Sequence, residues 1–296
     1  MGTDNLWPEE DIERLRELKS SNLSFTEIGK EMGRSRNSVR NKWVRMGEQE
    51  HAAPPTHLPP GATQALDKIS EVSIEAEEFL VASDFHVPGE DRRWIKRLLD
   101  YGKKNGVTTL VINGDFWNHD SVSRWQFKDP SMGLKLEIKK GIALVKELQQ
   151  QFKLYFVCGN HDSRLPKALN YALNFSDWMD ALFGDEIVVT DFDFMRVKSG
   201  KREFRVCHPE YYSRVKGSEA TTLAHDLQEN IIMAHQHFLT MTTNKTGRYL
   251  CVDCGCMCDQ DVFYYKKSAT SKFPSWENGF VHIKGGKVRL VCDYTF

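Results

Sequence analysis

Three apolar segments in the middle of the sequence each run directly into side chains that can bind metal ions. The segments and the polar residues after them are Phe79–Ser83 with Asp84 and His86, Thr109 to about Ile112 with Asp115, and Leu154–Cys158 with Asn160 and His161. Amphipathic segments with helical spacing separate them, the first beginning near Asp91. This alternation is typical of an α/β fold, in which functional groups gather beyond the carboxyl ends of the strands. The sequence therefore predicts a polar site at one edge of a sheet.

Two later apolar segments end in histidine. The sequence "FRVCHPE" leads to His208, and "NIIMAHQH" leads to His235 and His237. Carboxylate, imidazole and amide groups in this number are enough to hold two divalent cations, with one carboxylate bridging ions about 3.5–4 Å apart. Asp115 is the natural bridge because Gly114 permits a tight turn before it. His208 is the least certain ligand, and His225, in a predicted helix from Ser218 to Glu229, is its alternative.

The ordered motifs resemble those of the calcineurin-like metallophosphoesterases. The matching pieces are D-x-H at 84–86, G-D at 114–115, G-N-H-D at 159–162, the single His208, and H-x-H at 235–237. Each piece alone is common, but five pieces in this order, each after an apolar segment, form a specific signal over about Phe79 to His237. The resemblance implies an α/β sandwich of two β-sheets flanked by helices.

The resemblance also implies a role for each residue. Asp84, His86 and His237 would bind one metal ion, Asn160, His208 and His235 the second, and Asp115 both. His161 would act on the phosphoryl group and its leaving oxygen, while a metal-held hydroxide attacks phosphorus in line. Asp162 would support the loop. Two divalent ions are expected, with Mn²⁺ preferred and Fe, Zn, Ni and Mg left open.

Two further residues are candidates for substrate binding. Arg164 follows the Asn-His-Asp cluster, where a cation can meet the non-bridging oxygens of a phosphate. Asn118 stands where the phosphoprotein-phosphatase branch of the family has an aspartate, which favours the phosphodiesterase and nuclease branches. The nearby Trp117, Tyr211 and Tyr212 could stack on a base, although packing is the preferred interpretation. The four cysteines of "CVDCGCMC" lack the separated pairs of a zinc site and are interpreted as core or loop residues.

A proline-rich stretch divides the chain into domains. Residues 48–70 are predicted to be a linker between a small helical unit, 1–47, and a large domain, 71–296. In the small unit, Ile12, Leu15 and Leu18 share one face of a first helix, and a capping box at Ser24–Glu27 begins a second. A third helix is expected from about 35 to 46, with cations and amides on its outer face: Arg36, Asn37, Arg40, Asn41 and Arg45.

This N-terminal unit resembles the helix-turn-helix of GcrA-type regulators, and more loosely Myb-like and sigma-factor region-four modules. The resemblance covers Trp7 to Gly47 and implies DNA binding, since arginine and asparagine match guanine and adenine edges. A solvated helix face or a protein-docking module remains the alternative.

Composition sets wide limits. With 296 residues and a net charge of −1, the chain is expected to be a cytoplasmic protein without a membrane segment, and its oligomeric state is left open.

The leading hypothesis for the function is a DNA-directed phosphodiesterase or nuclease. The alternatives are a hydrolase of small or protein-borne phosphoesters that uses the helix-turn-helix for targeting, and a DNA-binding regulator with a non-catalytic phosphoesterase domain.

Overall fold

The computed structural model describes residues 7–21, 23–36, 38–39, 42–43, 72–123, 133–262 and 276–293. The chain separates into two compact units, Met1–Lys68 and Ile69–Phe296. The predicted linker at 48–70 lies outside the described residues, so its structure stays a prediction. None of the described helices is both long and apolar enough to cross a membrane.

The N-terminal unit contains helix α1 (Glu9–Ser20) and helix α2 (Phe25–Glu31). The predicted capping box is confirmed: the Ser24 hydroxyl accepts from the Glu27 amide, and the Glu27 carboxylate accepts from the Ser24 amide. Leu15, Leu18, Ile28 and Val39 form a small buried core.

Part of the third helix is described, since residues 36, 38, 39, 42 and 43 are helical. Arg36 is exposed there. The other four predicted DNA-binding residues lie outside the described residues: Asn37, Arg40, Asn41 and Arg45.

The large unit alternates strands and helices. Its strands are β1 (Ser73–Glu75), β2 (Glu78–Ala82), β3 (Thr109–Asn113), β4 (Lys153–Val157), β5 (Val188–Thr190), β6 (Phe194–Ser199), β7 (Arg202–Cys207), β8 (Asn230–Met233), β9 (Leu239–Thr243), β10 (Leu250–Cys254), β11 (Phe280–Lys284) and β12 (Lys287–Val291). Its helices are α3 (Arg92–Asn105), α4 (Leu134–Gln149), α5 (Arg164–Ala168), α6 (Phe175–Phe183) and α7 (Ser218–Leu227), with short 3₁₀ turns at Asp120–Val122 and Gly184–Glu186. The predicted strands before the polar clusters are confirmed, with ends shifted by about one residue.

The strands form two six-stranded sheets, in the orders β12-β11-β2-β3-β4-β5 and β1-β6-β7-β8-β10-β9. In the first sheet β2, β3, β4 and β5 are parallel, and in the second β7 and β8 are parallel. Parallel neighbours end at the same edge of a sheet. The loops after β2, β3 and β4 therefore meet at one edge, as do those after β7 and β8 at the other sheet.

Apolar side chains fill the space between the two sheets and cover their outer faces. Phe79, Val111, Phe204 and Ile232 belong to one buried cluster that joins residues of both sheets. A second cluster includes residues of α3, α4 and α6 and of the first sheet, and a third includes residues of α7 and the second sheet. The predicted two-sheet sandwich with flanking helices is confirmed, and its packed layers hold the strand ends in fixed positions.

Candidate metal centre

The backbone is unusual where the predicted ligands follow the strands. Five of them adopt the left-handed conformation, which non-glycine residues rarely enter: Asp84, His86, Asp115, His235 and His237. Such conformations cost free energy and persist where the surrounding structure imposes them, most often at functional sites. Here they turn successive side chains toward one point instead of to alternate faces of a strand.

Two glycines let the loops come close together. A side-chain carbon on Gly114 would overlap the imidazole of His208, and one on Gly159 would overlap the backbone and carboxylate of Asp115. Gly114 also has φ of 76°, which favours glycine. These two positions explain why glycine precedes both Asp115 and Asn160.

One cluster of ligands forms where the loops after β2 and β8 meet. Asp84, His86 and His237 are all buried and close enough to hold one ion. His237 Nε2 lies 2.9 Å from Asp84 Oδ1 and 3.3 Å from His86 Nε2. Metal–nitrogen bonds of about 2.0–2.1 Å place two ligand nitrogens roughly 3–3.4 Å apart, so this spacing fits a shared cation.

A second cluster contains Asp115, His208 and His235. His208 Nε2 lies 3.2 Å from Asp115 Oδ2 and 3.3 Å from Asn160 Oδ1. Asp115 Oδ2 is also 3.9 Å from His86 Nε2, so the carboxylate lies between the two clusters, as a bridging ligand must.

The structure favours His208 over its alternative. His208 is buried, and its Nδ1 lies 2.8 Å from the Asn113 carbonyl oxygen, which fixes the ring with Nε2 toward Asp115. A hydrogen bond to the second ring nitrogen is the usual support of a metal-binding histidine. His225 instead is exposed on α7.

The residues present fit divalent cations. Carboxylate, imidazole and amide oxygen donors suit Mn, Fe, Zn or Mg. Asp84 Oδ1 is fully buried, yet no donor among the described residues meets it with hydrogen-bond geometry. A buried carboxylate oxygen in this state is costly unless a cation neutralises it.

The electrostatics of the two clusters favour ionised carboxylates. Burial opposes ionisation of Asp84, but His237 and His86 outweigh it and hold the pKa of its carboxyl well below the usual value. Burial likewise opposes ionisation of Asp115, and His208 and His161 outweigh it, so that its pKa is also lowered. Burial works against protonation of His208 and His237 as well, but Asp115 and Asp84 respectively raise the pKa of each ring to about 10. A cation binding these nitrogens displaces protons, so its uptake becomes more favourable as pH rises.

His161 lies beside the bridging carboxylate. Its Nε2 is 3.9 Å from Asp115 Oδ2, and its backbone amide donates to Asp115 Oδ1 at 2.7 Å. Burial lowers the pKa of the His161 ring well below its ordinary value, with Asp115 acting in the opposite direction. The ring is therefore neutral at neutral pH.

Asn118 and Arg164 both contact His161. The carbonyl oxygen of Asn118 lies 3.0 Å from His161 Nδ1, and Arg164 donates to His161 Nε2 at 2.9 Å. Arg164 also pairs with Asp120 at 2.8 Å. Asn118 was predicted to bind substrate, but it is buried and its oxygens face His161, so its position suits orienting that ring.

Two buried acids hold the loops from behind. Asp162 accepts hydrogen bonds from the amides of Trp117 and Gly159, both at 2.9 Å, and so ties the β3 loop to the β4 loop, the supporting position predicted for it. Glu137 on α4 accepts from the amides of Asn118 and His119. Glu137 could not be predicted from the sequence, because the position of an acid in an amphipathic helix does not indicate which loop its side chain will contact.

Two cysteines of the cysteine-rich segment lie close to a candidate metal ligand. Cys251, Cys254, Cys256 and Cys258 are buried, as expected of core residues, but Cys256 and Cys258 also form with His237 a group of buried side chains close enough to hold a metal ion. The distance between Cys258 Sγ and His237 Nδ1 is 4.0 Å. The sequence showed these cysteines but not this contact.

The aromatic residues divide into two groups. Trp117 is fully buried and stacks on His119, which confirms its packing role. The packing interpretation is wrong for Tyr211 and Tyr212, which are 63% and 61% exposed.

A family model described as "Calcineurin-like phosphoesterase" matches residues 78–262. A search of curated proteins returned no match. The matched range begins at β2 and contains every candidate metal ligand.

Solved structures of similar fold are distant in sequence. The Vacuolar Protein Sorting 29 structure from Cryptosporidium parvum is 15% identical, with a TM-score of 0.40 over 73% of this chain and 95% of that chain. The E. coli phosphoesterase Yfce is 16% identical, with a TM-score of 0.39 over 73% of this chain and 98% of that chain. Vps29 from Entamoeba histolytica, complexed with zinc, is 15% identical, with a TM-score of 0.39 over 72% of this chain and 97% of that chain.

Proposed function

The chain belongs to the calcineurin-like phosphoesterase family, and we propose that it is a DNA-directed phosphodiesterase, a nuclease, that works with two divalent cations. The observation that carries the proposal is the convergence of two ligand clusters on the single carboxylate of Asp115, with His161 beside it. This is the arrangement that phosphoester hydrolysis at a dimetal centre requires.

Each part of the centre has a chemical task in the proposed reaction. One ion would be held by Asp84, His86 and His237, the second by Asn160, His208 and His235, and both by Asp115. Bound there, the ions supply Lewis-acid polarisation of the phosphoryl group and lower the pKa of water to generate the nucleophile. We propose Mn²⁺ as the preferred ion.

His161 is proposed to act on the leaving oxygen. The contact between its Nδ1 and the Asn118 carbonyl oxygen fixes the ring and leaves Nε2 directed toward Arg164 and Asp115. Because Arg164 already donates to an acceptor at this point, an arriving phosphate oxygen can replace that acceptor. Arg164 then binds the phosphate, and His161 Nε2, freed from Arg164, would first take up a proton from solvent and then donate it to the leaving oxygen.

DNA as the substrate is supported by the N-terminal unit. Its helices α1 and α2 are followed by further helical residues, as in the helix-turn-helix that the sequence resembles, and Arg36 is exposed on the third segment. A separate DNA-binding unit on the same chain raises the local concentration of DNA near the catalytic domain. A phosphodiester substrate is also favoured by Asn118, which replaces the aspartate of the phosphoprotein-phosphatase branch.

The test compares four substrates with purified full-length protein and Mn²⁺: single-stranded DNA, double-stranded DNA, a chromogenic phosphodiester and a chromogenic phosphomonoester. We expect cleavage of DNA and of the diester, and no cleavage by the matched Asp115→Asn protein. Rapid monoester turnover without diester or DNA cleavage would show a small-molecule or protein phosphatase instead. Inactivity on all four substrates, with DNA binding intact, would favour the non-catalytic regulator.

A further inference from the structure

A cleft of about 980 Å³ opens beside the candidate metal centre. It begins at Asn160 and His235, and its walls include Arg164, Lys167, Tyr171 and Glu210. We propose that this cleft binds an unpaired nucleic-acid strand, with Tyr171 stacking on a base near the scissile phosphate. This inference rests on the proposed function, because it names the form of nucleic acid that the centre cleaves.

Tyr171 is held in position by a strained turn after α5. Asn170 and Tyr171 are two successive non-glycine residues with positive φ, 51° and 57°. The turn is fixed by the Tyr171 amide, which donates to the Pro166 carbonyl oxygen at 2.9 Å. Yet the side chain that this turn presents is 67% exposed, so packing does not explain the strain. A strained backbone that places an aromatic ring in solvent beside a catalytic centre indicates a binding role.

Two further exposed aromatic residues, Tyr211 and Tyr212, come directly after Glu210, a lining residue of the cleft. The side-chain amide of Gln236 donates to the Tyr211 carbonyl oxygen at 3.5 Å, and Gln236 lies between two candidate ligands, His235 and His237. The loop that bears these tyrosines is therefore attached to the loop of the metal centre.

The charges along the cleft suit a phosphate backbone. Arg164 lies closest to the centre, beside His161, and Lys167 follows one helical turn later on α5. Lys167 pairs with Glu210 at 3.4 Å, and the two side chains are 45% and 68% exposed. Pairs of this kind contribute little to stability, so a phosphate can take the place of Glu210 as the partner of Lys167.

An unpaired strand is the occupant that fits these features. Aromatic stacking needs a free base face, and in a duplex each base is stacked between its neighbours. Stacking does not depend strongly on sequence, because every base has a π-face. The half-buried positions of Asn160 and His235 at the end of the cleft require the phosphodiester to enter it, which a flexible single strand can do.

The experiment measures binding without cleavage. Full-length protein in the presence of a chelator is titrated into a labelled poly-dT oligonucleotide and, separately, into a labelled duplex, with fluorescence anisotropy as the readout. Tyr171→Ala should weaken binding of the single strand about tenfold, whereas Tyr171→Phe, which keeps the ring, should bind like the parent. Met241→Ala, at an exposed apolar residue of β9, is the control for a general surface effect. The N-terminal unit is the same in all variants, so differences between them report on the cleft.

The outcomes separate this inference from the proposed function. Loss of single-strand affinity in Tyr171→Ala, with duplex affinity unchanged, supports the inference. Parent-like single-strand binding by Tyr171→Ala, or an equal loss for duplex, overturns it. Hydrolysis of the chromogenic diester by the parent protein is scored independently, so a protein that binds the strand through Tyr171 but cleaves no diester would contradict only the proposed function.

Discussion

Two pairs of acidic side chains in the large domain are equally buried, but their pKa values are shifted in opposite directions. Asp84 and Asp115, among the histidines of the centre, have lowered pKa values despite their burial. Asp162 and Glu137, behind the loops, have pKa values raised to about 7, mainly because of burial. Asp162 also faces the negative charge of Asp115. Burial alone therefore does not determine whether an acid is ionised here, because the charges of neighbouring side chains lower or raise its pKa.

The difference separates two structural tasks. Carboxylates held ionised by imidazoles are ready to bind cations, because no proton has to leave the carboxylate first. The two carboxyls with raised pKa values, Asp162 and Glu137, lie outside both ligand clusters; they accept hydrogen bonds from backbone amides. The first pair is expected to control metal content and rate, and the second to control stability and loop position.

Replacing Asp115 should have the largest effect. Asp115→Asn keeps the shape but removes the negative charge shared by the two ligand clusters, so we expect loss of bound metal and a fall in kcat/KM of about a thousandfold or more. Metal analysis by mass spectrometry and turnover of the chromogenic diester are the measurements. Near-parent activity with full metal content would contradict the bridging role. Asp162→Asn is the matched comparison, and it should retain its metal because the hydrogen bonds of that carboxyl within the described part of the chain come from backbone amides.

Replacing His161 tests whether this residue, which lies beside Asp115, is a catalytic group or a metal ligand. His161→Gln should retain both metal ions and lower kcat by about 10²–10⁴-fold, the range typical of lost acid–base assistance. The loss should be smaller for a substrate with a good leaving group, because that oxygen needs less protonation. Loss of one metal equivalent in this variant would instead identify His161 as a ligand, since its Nε2 lies only 3.9 Å from Asp115 Oδ2.

Glu137 should make stability depend on pH. Burial raises its pKa from 4.5 to about 7, so the folded protein holds this proton more tightly than the unfolded chain. Its contribution to the free energy of unfolding is therefore greatest below about pH 4.5 and falls as pH rises to about 7, by at most about 3 kcal/mol.

Glu137→Gln keeps an acceptor for the amides of Asn118 and His119 but cannot ionise. Metal-free variant protein should thus equal the parent at low pH and exceed it in stability above about pH 7, as measured by urea denaturation across pH. Asp185→Asn, at an exposed site, is the control. Parallel curves for parent and Glu137→Gln would show that folding leaves the pKa of this carboxyl unchanged.

The sequence predicted the candidate metal ligands better than the residues that support the loops. Asp84, His86 and His237 follow strands within short motifs, and parallel strand order is enough to bring such ends together. Glu137 reaches its loop from a helix, a contact that depends on how α4 packs against the sheet. Likewise, the exposure of Tyr211 follows from where its loop lies, which local sequence does not specify.

The smallest expected effect comes from removing the thiol that contacts His237, which extends the comparison from carboxyl groups to thiols. Cys258 Sγ lies 4.0 Å from His237 Nδ1, on the side of the ring opposite the nitrogen that faces Asp84. Removing such a partner of a metal-binding histidine typically weakens metal affinity about 10- to 100-fold.

Cys258→Ala should therefore bind Mn²⁺ about tenfold more weakly by isothermal titration, and Cys258→Ser, which keeps a polar partner for the ring, should recover part of the loss. Cys251→Ala removes an equally buried thiol from β10 whose sulfur donates to the Tyr249 carbonyl oxygen, so it serves as the matched control and should bind metal like the parent. Equal affinities in the Cys258→Ala and Cys251→Ala proteins would show that the cysteines near His237 only fill the core. A selective loss would mean that the orientation of His237, like that of His208, depends on the atom behind its second ring nitrogen.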